Sequence, residues 1–470
     1  MKSISRVKIT FYLEWNPAML RTLNARLLRP LWAMKQGNPL YRHLHLLERR
    51  QFDSPETIQH RTWELVQAQL RHAWETVPFY RTHWQRAGLH PNDIRTIADL
   101  QHLPIVTKDH IRKELTSLRS IRTDLGTIHW KTTSGSTGVP LKVAIDEPAL
   151  RWKQACTLRS DQWSGYQVGD RVAKVWGNPE YRHFGWKGRL VNHFIDRAVY
   201  LDTLHVNDQR LHAFAKDLTR KQPGLLFGHA HSLYLLAVFC KKHHYHVRPG
   251  GIISAAMMLH HWQKQLMEQV FQTPVTNRYG CEEVSLIASE CEAHRGLHIN
   301  SDSVHLEFAD DTRFPNGKSL LVTDLVNRAM PLIRYQVGDV VVPSSRTCSC
   351  GRGLPMLEEL FGREADYVLS PTGELISGIS LTENFAMHIP GAAQIQLVQD
   401  LPTHLQVRLV PGEEYGPASA KKIGELVRAT FGPAMTYDVE LLDSLPQEKS
   451  GKYRFCISPV AQRYLQELAA

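Results

Sequence analysis

At 470 residues the chain is too long for a single compact core, so two domains, or three, are expected. Hydrophobic residues make up 43%, and no run approaches the roughly 18 to 20 apolar residues of a membrane-spanning helix, which argues against an integral helical membrane protein. The formal charge of +10, from 56 Lys+Arg against 46 Asp+Glu, favours anionic partners, but it is dispersed without long runs of like charge, so no nucleic-acid groove is expected.

The first residues, MKSISRVKITFYLEWNP, are basic, but the apolar stretch Ile9 to Leu13 is short and runs into Glu14. No cleaved signal peptide is expected, and the cytoplasm is the expected compartment. Seven scattered cysteines, at 156, 240, 281, 291, 348, 350 and 456, suit that reducing environment better than a disulfide framework. Residues 1–50 read as helical and basic. Packing on the main domain is the first expectation for them, with peripheral membrane contact as the alternative.

Asp53-Ser54-Pro55-Glu56 then supplies a cap, a first-turn proline and a carboxylate for a helix that Pro78 ends. Leu103 to Lys108 reads as a turn into a helix capped by Thr107. Thr132 to Lys142, TTSGSTGVPLK, is a loop of hydroxyls and glycines between β-prone segments. Gly135 and Gly138 free the backbone to converge N–H groups on an anion, Thr133, Ser134, Ser136 and Thr137 add donors, and Lys142 adds charge. No lysine follows Gly138, and Val143-Ala144-Ile145 predicts a strand rather than the helix of a P-loop. The alternative is a Ser/Thr/Gly-rich surface turn.

Downstream, apolar strands at 171–176, 224–227, 251–254 and 274–278 alternate with helices at 209–221 and 232–242, which predicts α/β layers with largely parallel sheets. From Val304 to Val342 the pattern turns to β, with Pro331 to Val342 crossing a turn at Gly338. Gly362 to Asp366 marks a boundary. The expected organisation is therefore a large N-terminal domain of layered sheets and helices, 1–362, and a small, mobile α+β domain, 363–470. The latter contains a hairpin at 367–376, strands at 393–398, 404–409 and 437–442, and a helix at 418–431.

Four further features carry chemistry. Tyr279-Gly280-Cys281-Glu282-Glu283 offers an aromatic for stacking on a base, a glycine for close approach and carboxylates for Mg²⁺. Asp339 can accept hydrogen bonds from ribose, Arg363 adds a cation at the domain junction, and Lys452 sits in a polar glycine turn of the small domain.

In order and spacing these features resemble the adenylate-forming enzymes, and among them the phenylacetate–coenzyme A ligase family, including its capsular-polysaccharide branch. The resemblance extends to Ala73 to Tyr80, Leu103 to Lys108 and Ala329 to Tyr335. It implies that ATP and a carboxylic acid give an acyl-adenylate and pyrophosphate, and that a thiol, commonly coenzyme A, then takes the acyl group. Ser134 to Gly138 and Lys142 would serve the phosphates, Glu283 would hold Mg²⁺, and Tyr279, beside Gly280, would pack on adenine. Asp339 and Arg363 would fix the ribose, and Lys452 would approach the α-phosphate and swing away for the second step. Three positions depart from the pattern: Glu282 replaces the usual threonine, Ala365 the pivoting aspartate, and Met257 a frequent glutamate. They leave open transfer to a non-coenzyme A acceptor, or a nucleotide-binding member without turnover that assists polysaccharide assembly. The segments at 228–231, 254–259 and 280–281 are expected to line the acid pocket.

Cys348 and Cys350 form a tight pair, with Cys291 and either His298 or His294 upstream. That is an ordinary Cys₃His donor set for structural Zn²⁺, although the spacing alone leaves buried free thiols as an alternative. The family resemblance favours the metal, with His298 the preferred ligand and His294 its rival. Cys281 reads as a packed small residue rather than a nucleophile.

Overall fold

A computed structural model describes residues 17–133, 141–176, 185–203, 207–259, 261–310, 317–361, 367–377, 381, 385, 388–412, 414–445 and 455–469. The chain opens with a helical run, α1 (Pro17–Leu23), a π-turn (Asn24–Leu28) and α2 (Arg29–Lys35), followed by α3 (Leu40–Arg50), α4 (Pro55–Thr76) and α5 (Pro78–Arg86). The Ser54 hydroxyl accepts from the Thr57 amide at 3.3 Å, so α4 starts where the capping residues predict. Pro78 does more than end it: lacking an N–H, it also serves as the first residue of α5. The short α6 (Lys108–Lys113) is capped by Thr107.

The strands β1 (Ile128–Thr133) and β2 (Leu141–Asp146) pair antiparallel, Thr132 opposite Lys142 and Thr133 opposite Leu141. Asp146 then caps α7 (Glu147–Trp163). There follow β3 (Val172–Trp176), α8 (Gly185–Val191) with a π-turn (Asn192–Asp196), β4 (Ala198–Asp202), α9 (Asp208–Lys221), β5 (Leu225–His229), α10 (Ala230–Lys242), β6 (Ile252–Ala255), α11 (His261–Phe271) and β7 (Val275–Cys281). β4, β3, β5, β6 and β7 are parallel neighbours, the arrangement the strand–helix alternation predicts.

Past β7 the pairing turns antiparallel through β8 (Ser285–Glu290), β9 (Leu297–Ile299), β10 (Val304–Asp310), β11 (Lys318–Asp324), β12 (Tyr335–Ser344) and β13 (Met356–Phe361). Together they complete an eleven-stranded sheet in the order β10-β11-β12-β13-β9-β8-β7-β6-β5-β3-β4. The expected turn at Gly338 is corrected here. β12 is one continuous strand, and Gly338, at φ 89°, lies in a bulge between the pairs Gln336–Leu321 and Val340–Ser319.

The C-terminal part holds the hairpin β14 (Tyr367–Leu369) and β15 (Leu375–Ser377), then β16 (Ala392–Leu401), β17 (His404–Pro411), α12 (Pro417–Phe431), β18 (Thr436–Leu441), β19 (Cys456–Ile457) and α13 (Pro459–Ala469). A four-stranded sheet, β18-β17-β16-β19, packs Ile395, Leu397, Leu405 and Val407 against Ile423, Val427 and Phe431 of α12. The architecture is thus α/β layers followed by a small α+β unit. Strand alternation splits the β14–β15 hairpin between two cores: Val368 and Ile376 join the small unit, whereas Tyr367, Leu369 and Leu375, with Val460 and Ala461, join the cluster around α10.

Candidate active site

β7 and β8 meet in a tight turn at 282–284, with Gly280 opposite Leu286 and Cys281 opposite Ser285. A side chain at 280 would place its Cβ 2.5 Å from the Ser285 carbonyl oxygen, so the close approach of the two strands requires glycine. Two tyrosines tie this hairpin to β12: the Tyr279 hydroxyl donates to Asp339 Oδ2 at 2.7 Å, and the Tyr335 hydroxyl donates to Glu283 Oε1 at 2.9 Å. All four side chains are buried. Tyr335 and Asp339 share β12, and the bulge lying between them sets how each meets the hairpin.

The strand β1, which leads into the glycine-rich segment, reaches the same place. Lys131 of β1 donates to Ser285 Oγ at 3.1 Å and pairs with Glu282 at 3.6 Å. Glu282, one of the three unusual positions, is thus the exposed partner of that lysine. Lys142 projects outward from β2. Thr133 ends β1, and Ser134, Gly135, Ser136, Thr137 and Gly138 lie outside the described residues, as do Arg363, Ala365 and Lys452. Cys281 is half-buried, and its thiol is pushed well above the ordinary value by burial and then by the Glu283 carboxylate, which disfavours a nucleophilic thiolate.

The segments Ala73 to Tyr80, Leu103 to Lys108 and Ala329 to Tyr335 brace this centre. The Tyr80 hydroxyl donates to the Pro331 carbonyl at 2.8 Å and accepts from the Ile333 amide at 2.9 Å. The Val106 amide donates to the Arg334 carbonyl at 3.1 Å and its carbonyl accepts from the Gln336 amide at 2.9 Å, docking Leu103–Lys108 beside β12. Sequence reading missed the buried ion pair beneath them, Lys153 Nζ to Asp324 Oδ2 at 2.5 Å, and Asn327, which donates to the Ala144 and Met330 carbonyls.

At the carboxyl ends of the parallel strands, Trp176 of β3 lies against His229 of β5 with ring centroids 3.8 Å apart. Burial lowers the His229 pKa to about 3, so its ring is neutral, and among the described residues neither nitrogen has a hydrogen-bond partner. The Ser254 hydroxyl on β6 is likewise unsatisfied. Met257 is buried in the α10 cluster.

A second constellation lies between β8, β9 and the segment before β13. The ligand atoms of Cys291, His298, Cys348 and Cys350 all fall within 4.8 Å of one another. Cys291 Sγ is 3.6 Å from Cys348 Sγ, and Cys350 Sγ is 3.3 Å from His298 Nε2. A tetrahedron built on Zn–S and Zn–N bonds of about 2.3 and 2.0 Å has edges of roughly 3.8 and 3.5 Å, so the donors stand at coordination spacing. His298 Nδ1 lies 3.2 Å from the Leu354 carbonyl, a partner that takes a proton from Nδ1 and leaves the Nε2 lone pair facing the thiols. His294 instead places Nδ1 3.3 Å from Glu290, outside the cluster.

Residues 368–459 match the CapK C-terminal domain family. The phenylacetate–coenzyme A ligase of Thermus thermophilus is 26% identical over 319 residues, 65% of this chain and 70% of that protein. Protein CapK of Staphylococcus aureus is 22% identical over 375 residues, 78% and 81% of the two chains. The chain is a relative of the phenylacetate–coenzyme A ligases and of CapK. Its fold agrees. A crystal structure of 2-hydroxyisobutyryl-CoA ligase, in complex with 2-HIB-AMP and CoA, superposes with a TM-score of 0.60 over 90% of this chain and 94% of that one, at 20% identity.

Proposed function

We propose that the protein activates a carboxylic acid with ATP and passes the acyl group to a thiol, most directly that of coenzyme A. The observation carrying this reading is the convergence of Tyr279–Asp339 and Tyr335–Glu283 on one hairpin, beside the stem of the glycine-rich loop. An acid oxygen attacks the α-phosphorus, the bond to the β-phosphate breaks, and pyrophosphate leaves. The thiol sulfur then attacks the acyl carbon, and AMP departs with the bridging oxygen.

Both reacting partners of the first step are anions, so the site must neutralise charge as it aligns them. Ser134 to Gly138 and Lys142 hold the departing phosphates. The buried Glu283, fixed by Tyr335, suits a hard divalent cation such as Mg²⁺, which when bound neutralises phosphate charge. Tyr279 offers its ring to adenine while its hydroxyl holds Asp339, which with Arg363 orients the ribose. Lys452 reaches the α-phosphate from a small domain, 363–470, that swings between the two steps about the junction at 362. Cys291, His298, Cys348 and Cys350 fit structural Zn²⁺, remote from these residues in role. The acid lies by the strand ends near Trp176, His229 and Ser254. The described residues contain no helix long and apolar enough to cross a membrane.

The CapK-type match over 368–459 favours a second reading of the second step, with an acceptor in surface-polysaccharide assembly replacing coenzyme A. Pyrophosphate release across a panel of acids, measured with and without coenzyme A, separates the readings. Acid-dependent release with coenzyme A consumption is expected. Release without thiol consumption selects the other acceptor, and no release with any acid removes both enzyme readings.

A further inference from the structure

The α1–α2 run and the α8 helix with its π-turn lie side by side on the surface. Asn24 and Arg29 donate to the Ile195 carbonyl at 3.2 and 3.0 Å, while Trp32 and Gln36 share a cleft with Lys187, Gly188 and Val191. The two helices leave large apolar side chains exposed. On the first these are Met19, Leu27, Leu31 and Met34, the last 74% exposed; on the second, Trp186, Leu190 and Phe194, with Trp186 68% exposed. Both sets recur at helical spacing, so each forms a stripe rather than a scatter. Half of the exposed large hydrophobic side chains among the described residues sit on these two neighbours.

The exposed charges of the stripes are of one sign: Arg26, Lys35, Lys187 and Arg189 are exposed along them, while Asp196, which ends the π-turn and lines the cleft, is half-buried. Lys187 lies 5.6 Å from the Trp186 ring centre, and Lys35 lies 5.8 Å from that of Trp32. Apolar stripes edged by cations, with an exposed tryptophan, match the boundary between acyl chains and anionic headgroups. A second copy of this chain is a poorer match, because a two-fold contact would set these cations against themselves.

We propose that this surface docks reversibly on a bilayer containing anionic lipid, holding the protein flat on the membrane without spanning it. Sedimentation of the full chain with vesicles tests it, using phosphatidylcholine alone and phosphatidylcholine with phosphatidylglycerol. Binding to the anionic vesicles that weakens with salt is expected. Leu27→Glu/Leu31→Glu and Trp186→Glu/Leu190→Glu should each lower partitioning by about a hundredfold. These positions are exposed, so circular dichroism and acid-dependent pyrophosphate release should match the parent. The proposal is overturned by any of three results: no binding to either vesicle, equal binding by parent and variants, or a concentration-dependent dimer abolished by the same variants. Binding lost on deleting residues 1–16 but kept in both double variants also overturns it, since the contact then lies elsewhere.

Discussion

In the proposed cycle Lys452 serves the α-phosphate only during adenylation, so Lys452→Ala should abolish acid-dependent pyrophosphate release while largely sparing thioester formation from a supplied acyl-adenylate. Equal loss of both half-reactions would contradict the swing. In the cysteine–histidine cluster, Cys348→Ser removes one donor of a closed set. Metal analysis of the purified variant should find zinc gone, with a lower melting temperature; unchanged zinc content would refute the site. The grouping of that set came from the family resemblance, since the spacing of 348 and 350 alone fits buried free thiols as well as a metal. The choice between His294 and His298 was decided by Glu290 and Leu354, whose positions depend on pairing between distant strands.

At the scale of elements, the β7–β8 hairpin is sensitive to a single methyl group. Gly280→Ala must push the Ser285 carbonyl aside from its 2.5 Å approach, at a cost of about 1–3 kcal/mol, and it displaces Glu283 with the turn. The expected outcome is a cooperatively folded enzyme with kcat reduced at least tenfold, read by steady-state pyrophosphate release. Wild-type kcat would mean that the turn does not position the carboxylate. The strand–helix alternation of β3 to β7 was readable from apolar runs of strand length. The course of β12 was not. Gly338 fits a turn or a bulge equally well until pairing with β11 decides, and Lys153 reads as a solvated helix residue until Asp324 meets it in the core.

For the molecule as a whole, buried neutral histidines set a limit on the acid side. Burial pushes His229 to about 3 and His305 to about 4, below the unfolded value near 6.5. Between those values the unfolded chain binds more protons than the folded one, so stability falls as pH drops from about 6.5 towards 4. Urea midpoints at about pH 7.5 and about pH 4.5 should show a loss of several kcal/mol, reduced in His229→Phe; pH-independent midpoints would contradict it. The fold class and the chemistry could be read ahead of any structure because their residues cluster in short motifs. The outward apolar stripes of the N-terminal helices could not, since a leucine or tryptophan in sequence reads as core. The seam where Tyr367, Leu369, Leu375, Val460 and Ala461 join the α10 cluster, with the Tyr367 hydroxyl 3.0 Å from Ser232, bears on tempo. A small domain that swings at residue 362 must either leave this hairpin behind or return it to water, at about 1.5–3 kcal/mol for each large apolar side chain. Every 1.4 kcal/mol slows that release about tenfold, so under the proposed swing the seam would act as a timer, an oily contact that sets how long the protein dwells in each posture.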